Sequence, residues 1–174
     1  MRIAAIFVLV ATLAAGCGDD GVDISGMYMA TMESSDPDGC GPGAEPTPRT
    51  MFFQIKEDTF FGAKFYSLSK CTSQMVNSCT GGGLFAGAPL SESISDGWKG
   101  KISVSSGDST SCSLQYGEAT ATLINGTLRY ESKKFGVSAM SGISDCSTDE
   151  AEKRGKSMPC DGYGLIVGSK VPAL

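Results

Sequence analysis

Asn125-Gly126 lies at the centre of a pattern that leaves the chain little choice of local structure. The pair readily adopts the positive φ values of a type I′ turn, whose twist matches two antiparallel strands. If the turn closes between Ile124 and Thr127, Leu123 falls opposite Leu128 and Ala121 opposite Tyr130. On the other face Thr122 meets Arg129, and Thr120 meets Glu131. Apolar and polar faces agree across the whole hairpin, so a slip of one residue would turn every side chain the wrong way. Beyond Ser132 the alternation changes phase to Phe135 and Val137, which predicts a bulge.

Other stretches carry the same two-residue period. Residues 24–32 read as a first strand. Met51, Phe53 and Ile55 alternate with Phe52, Gln54 and Lys56, and a tight Glu57-Asp58 turn is expected to lead into a strand over 60–68, where Phe61, Ala63 and Phe65 share a face. Trp98, Gly100, Ile102 and Val104 alternate with Lys99, Lys101, Ser103 and Ser105, and residues 162–171 form a last strand with Tyr163, Leu165 and Val167 on one side. One helix is expected near 148–154, because Ser147-Thr148-Asp149-Glu150 fits a capping box, Lys153 and Arg154 suit its C-terminal end, and Gly155 can end it. Residues 34–49, with four prolines, three glycines and Cys40, read as a long irregular loop, and Gly81-Gly82-Gly83 as a second flexible connection. The sum is an all-β fold of about eight mostly antiparallel strands, either a small barrel or a two-sheet sandwich.

The first residues have a different character. Arg2 precedes an apolar run of about eleven residues, too short for a bilayer span of roughly 20. The run closes on Leu13-Ala14-Ala15-Gly16-Cys17, so residues 1–16 read as a signal peptide. This ending resembles the lipobox of bacterial lipoproteins, with Ala14 in the slot more often held by leucine. The resemblance implies cleavage before Cys17 and transfer of a diacylglycerol to its sulfur. Residues 17–23 would then be the lipidated cysteine and a short acidic tether, and 24–174 a single domain. In enterobacterial members an aspartate after the cysteine retains the protein at the inner membrane. Gly18 here points instead to the outer membrane, although Asp19 follows it.

With Cys17 assigned to lipid, Cys40, Cys71, Cys79, Cys112, Cys146 and Cys160 form an even set, as expected of a disulfide framework in an oxidising compartment. Six cysteines allow 15 pairings. Proximity in sequence favours Cys71 with Cys79 and leaves the other four open.

Composition removes several functions. The chain has no histidine, which excludes Ser-His-Asp and Cys-His catalysis and most zinc enzymes. Ser67-Leu68-Ser69-Lys70 has the letters of a serine acyl enzyme but ends a strand rather than starting a helix. Asp36-Pro37-Asp38-Gly39 lacks the later ligands of a calcium loop, and Asp145, Asp149 and Glu150 serve the helix start. Met27 and Met29 share a strand face, where thioethers either hold Cu(I) or, as we prefer, fill a core. No metal or cofactor is therefore expected. Loss of Arg2 from the 14 basic residues leaves 13 against 19 acidic ones, a balance that argues against nucleic acid and against anionic headgroups.

The functional expectation is a lipid-anchored, non-catalytic lipoprotein of the bacterial cell envelope, presenting its β domain to an envelope protein or another partner. Gly26-Met27-Tyr28 offers a second route, since it resembles the Gly-x-Trp opening of lipocalin-like barrels with tyrosine for tryptophan. That resemblance implies a carrier of a small apolar ligand, with Phe53, Phe61, Phe65, Trp98, Tyr116 and Tyr130 as aromatic candidates for a cavity wall; a solid core is the alternative. For the anchor, Cys17→Ser is expected to leave the precursor unlipidated and mislocalised. Detergent phase partitioning checks this, and unchanged partitioning of the variant would refute it.

Overall fold

The computed structural model describes residues 21–36, 39–41, 47–81, 88–108, 110–141, 145–172 and 174. Residues 1–20, which include the stretch expected to be a signal peptide and Cys17, lie outside the described residues, as do Pro37 and Asp38 of the acidic loop and Gly82 and Gly83. The elements in chain order are β1 (Gly26–Asp36), β2 (Thr47–Phe60), β3 (Ala63–Cys71), β4 (Cys79–Thr80), β5 (Glu92–Ile94), β6 (Gly97–Gly107), β7 (Cys112–Ile124), β8 (Thr127–Met140), α1 (Thr148–Arg154) and β9 (Cys160–Val171).

All nine strands belong to one antiparallel sheet in the order β4-β3-β2-β1-β9-β8-β7-β6-β5. The sheet is a curled half-barrel rather than a sandwich. Its two margins approach at one place, where Tyr66 of β3 and Leu90 exchange backbone hydrogen bonds of 2.9 and 3.0 Å. The next amide, Ser91, donates to Lys99 of β6, so residues 90–91 bridge β3 and β6.

The β7–β8 hairpin has the register read from Asn125-Gly126, with Ile124 opposite Thr127, Leu123 opposite Leu128 and Ala121 opposite Tyr130. Asn125 and Gly126 sit at φ +51° and +77°. The phase change after Ser132 is also present: against β9 the register of β8 shifts between Lys134 and Phe135. The expected Glu57-Asp58 turn is not. Both residues stay in β2, opposite Tyr66 and Phe65, and the chain reverses at Phe61-Gly62, with φ +48° and +79°. Glu57 is held across the strands by Lys64 at 2.8 Å, and β2 runs on past the charged pair. The proposed loop over 34–49 is shorter than expected, since β1 continues to Asp36 and β2 begins at Thr47.

Following the register across the sheet identifies its inner face. Trp98, Ala121, Tyr130 and Ile166 form one row over four strands, and Leu123, Leu128, Gly168, Ala30 and Met51 form the adjacent row. These rows join Ile24, Tyr28, Phe53, Ile55, Tyr66 and Leu90 in the main core. Tyr28 stacks on Phe53 at 5.2 Å, while Tyr66 meets Trp98 edge-on at 5.0 Å. A smaller cluster occupies the outer face, where Cys112, Leu114 and Phe135 pack with Ala151 of α1 and Met158. The helix begins as its sequence demands, with the Ser147 hydroxyl accepting from the Glu150 amide at 3.2 Å. The Glu150 carboxylate does not reach back to complete the box; it accepts from Arg154 Nε at 2.7 Å. Gly155, at φ +44°, ends the helix.

The six cysteines pair as Cys40–Cys160, Cys71–Cys79 and Cys112–Cys146, closing sequence separations of 120, 8 and 34. Cys71–Cys79 fastens the two-residue β4 to β3, and Cys112–Cys146 ties the residue before the helix cap to β7. Loop-closure entropy makes these bridges unequal. Replacing Cys40 and Cys160 together by serine is expected to cost about 2 kcal/mol more than replacing Cys71 and Cys79 together. Urea denaturation of the two double variants measures the difference.

Candidate functional site

The same rows show where the interior is not filled. Moving along β7 from Ala121 towards Cys112, the next inner-face row is Gly100, Ala119, Ser132 and Gly164, with Pro89 seated over Gly100, and the row after it is Ile102, Gly117, Lys134 and Gly162. The next row pairs Val104, Gln115 and Gly136. A glycine contributes no side chain to fill a concave surface. At this level the half-barrel holds a cavity of about 330 Å³.

Ala88, Ile102, Val104, Gln115, Gly117, Tyr130, Ser132 and Gly162 line it, with Tyr116, Glu118, Lys133 and Lys134 also contributing. Tyr130 connects the cavity to the core, since it packs on the main apolar cluster and also forms part of the wall. Its burial pushes the phenol up to about 12, so at neutral pH it is a hydrogen-bond donor and never an anion.

The electrostatics divide cleanly. Of the charged residues bordering the cavity, Lys134 shares the inner face and pairs with Asp161 at 2.9 Å, while Lys133 and Glu118 project to the outer face and pair with Glu131 at 3.7 Å and Lys156 at 2.8 Å. The uncharged polar groups are in the reverse position. Among the described residues, the Tyr130 hydroxyl, the Ser132 hydroxyl and the Gln115 amide have no hydrogen-bond partner. No fully buried side-chain polar atom lacks a partner among the described residues, so these groups are reachable by solvent. The site offers apolar wall and neutral hydrogen-bonding groups, with its charges already compensated.

Of the aromatic candidates read from the sequence, Tyr130 lies on this wall; Tyr116 borders it through β7, but its ring packs against Phe135 in the outer cluster at 6.2 Å. Phe53 and Trp98 are packed in the solid part of the interior. Phe65 is buried on the opposite face of β3 from Tyr66, and Phe61 stands 90% exposed at the β2–β3 turn. The aliphatic and glycine lining was missed because Ile102, Val104, Gly117 and Gly162 carry no chemical signature; only the register shows that they share a face. Ser67 and Lys70 both sit in β3, where residues three apart point to opposite faces, and Lys70 is engaged by Glu33 at 3.3 Å. Met27 is buried, and among the described residues no three His, Cys, Asp or Glu side chains come together.

Comparison with known proteins finds no family model, no curated protein and no solved structure that matches this chain.

Two tyrosines separate a structural hydroxyl from a free one. Tyr28 donates to the Ile24 carbonyl at 2.8 Å inside the core, so Tyr28→Phe is expected to lose about 1 kcal/mol. Tyr130→Phe is expected to stay within about 0.5 kcal/mol of the parent. Thermal denaturation of the two variants checks the contrast. Both phenols are pushed up from 10 to about 12, chiefly by burial. A raised folded pKa means this stability is complete below pH 10 and is lost as pH rises through about 12, as the unfolded chain ionises first. Denaturant midpoints measured between pH 9 and pH 12 are therefore expected to fall across this range, and a flat profile would contradict the assignment.

Proposed function

We propose that this chain is a lipid-anchored, non-catalytic binding module of the bacterial envelope. Its half-barrel takes up a small uncharged ligand in the cavity beside Tyr130. The anchor is supported by the residues around Cys17 and by the pairing of all six remaining cysteines, which suits an oxidising compartment. The absence of histidine and the fully paired carboxylates around the cavity give an acid–base reaction no evident agent.

The observation that carries the ligand reading is the cavity itself. At about 330 Å³ it lies at the lower end of ligand sites, which span roughly 300–1,000 Å³. A liquid water occupies about 30 Å³, so the space suits a molecule of roughly ten non-hydrogen atoms. Ile102, Val104 and Ala88 supply apolar contact, and Tyr130 supplies a neutral donor for one acceptor on the ligand. A carboxylate would find no free cation among the described wall residues, because Lys133 and Lys134 are engaged by Glu131 and Asp161. Entry of an anion would strand a charge or break an ion pair.

Methyl octanoate and octanoate test this, because they match in length and differ in charge. By calorimetry on the purified protein, the ester is expected to bind roughly tenfold more tightly than the carboxylate, a difference of about 1.4 kcal/mol. Tyr130→Phe should weaken ester binding by up to roughly tenfold through loss of one hydrogen bond. Equal or tighter binding of octanoate, or no binding of the ester, would overturn the reading.

A further inference from the structure

The strands alternate in direction, so the starts of β1, β3, β6 and β8 lie at one end of the half-barrel, together with the end of β9. That end therefore carries the β2–β3, β5–β6 and β7–β8 turns and the segment leading into β1. The leading segment is not a free tether up to residue 23. A methyl at Gly21 would lie 2.7 Å from Ser93 Cβ and 3.2 Å from the Trp98 ring, and the Val22 carbonyl accepts from Trp98 Nε1 at 2.8 Å. The Asp23 carboxylate lies 3.5 Å from the Tyr66 hydroxyl. Only the stretch from Cys17 to Gly21 can then act as a spacer. Four residues at no more than ~3.6 Å each reach about 14 Å.

Exposed apolar side chains gather at the same end. Of the eight large exposed hydrophobic residues described, Val22, Phe60, Phe61 and Ile124 lie on these turns or in the segment leading into β1. Phe61 is the extreme case, 90% exposed at the tip of the β2–β3 hairpin, its ring edge-on to Phe60 at 4.4 Å. It also sits at φ +48°, where a bulky residue costs about 1–2 kcal/mol. Nothing in the hairpin's own packing requires an aromatic ring there. The neighbouring charges are matched, with Lys56 on Asp58 and Lys64 on Glu57, both at 2.8 Å, so the tip presents no net charge to repel a surface.

We propose that this end rests on the lipid bilayer and that Phe60 and Phe61 dock in its interfacial layer, where aromatic rings are favoured. The inference rests on acylation of Cys17, which holds this end within about 14 Å of the headgroups. The cavity, whose walls continue towards the far turn between β6 and β7, then faces away from the membrane.

The acylated full-length protein in phosphatidylethanolamine–phosphatidylcholine vesicles tests the orientation, with intact mass confirming the acyl chains. Phe61→Trp and, at the far β6–β7 turn, Ser111→Trp are compared with the parent, whose Trp98 is buried and gives the background. The Phe61→Trp emission is expected to shift to the blue and to be quenched by brominated lipid, while Ser111→Trp is not. If the protein is acylated and Phe61→Trp is no more quenched than the parent, or if Ser111→Trp is the quenched one, the orientation is wrong and the anchor stands. If Cys17 carries no lipid, the anchor and the orientation fail together.

Discussion

The shape of this domain depends on two backbone hydrogen bonds between Tyr66 and Leu90. A nine-stranded antiparallel sheet left open would present one face to solvent along its whole width, with both margins free to pair elsewhere. Joining β3 to residues 90–91, and those to β6, brings the margins together and turns one face inward. The side chains nearby reinforce the join, because Tyr66 meets Trp98 and both contact the segment that leads into β1. Gly100 has a specific part in this. A methyl there would lie 1.7 Å from the Pro89 carbonyl oxygen, so only glycine lets residues 89–90 approach β6 this closely.

With the sheet curled, each strand has to serve two environments. β7 does so without any break in its register with β6: Cys112 and Leu114 face outward under the helix, while Ala119 and Ala121 face inward to the main core. The even and odd positions are thus apolar in different halves of one strand. This division explains why the interior is dense at one end and hollow at the other. Where β7 buries its outer side, its inner side carries Gln115 and Gly117, and the space above them is the cavity. The helix and the Cys112–Cys146 bridge cover the outer cluster that a polar inner side would otherwise leave poorly supported.

Much of the architecture was legible because strands obey a period of two and turns need particular residues. The Asn125-Gly126 hairpin, the phase change before Phe135, the hydroxyl cap of Ser147 and the Cys71–Cys79 pair all follow from local chemistry that needs no distant partner. The Phe61-Gly62 turn was not legible, since phenylalanine is a poor residue at positive φ and the adjacent Glu57-Asp58 looked more like a reversal. The cavity was only partly so. Aromatic residues attract attention as ligand walls, yet Phe53 and Trp98 fill the core, and the space is made by glycines and small aliphatic residues whose common face depends on register over several strands.

From the sequence alone came an all-β domain of mostly antiparallel strands with one short capped helix and a paired set of six cysteines, because alternation, capping and cysteine parity are short-range properties of the chain. Tertiary structure decided the rest. It selected one curled sheet over two stacked ones, chose Cys40–Cys160 and Cys112–Cys146 among the open pairings, and put the hollow beside Tyr130. Those outcomes depend on which strand margins meet, at Tyr66 and Leu90, and that contact joins residues 24 positions apart that share no local pattern.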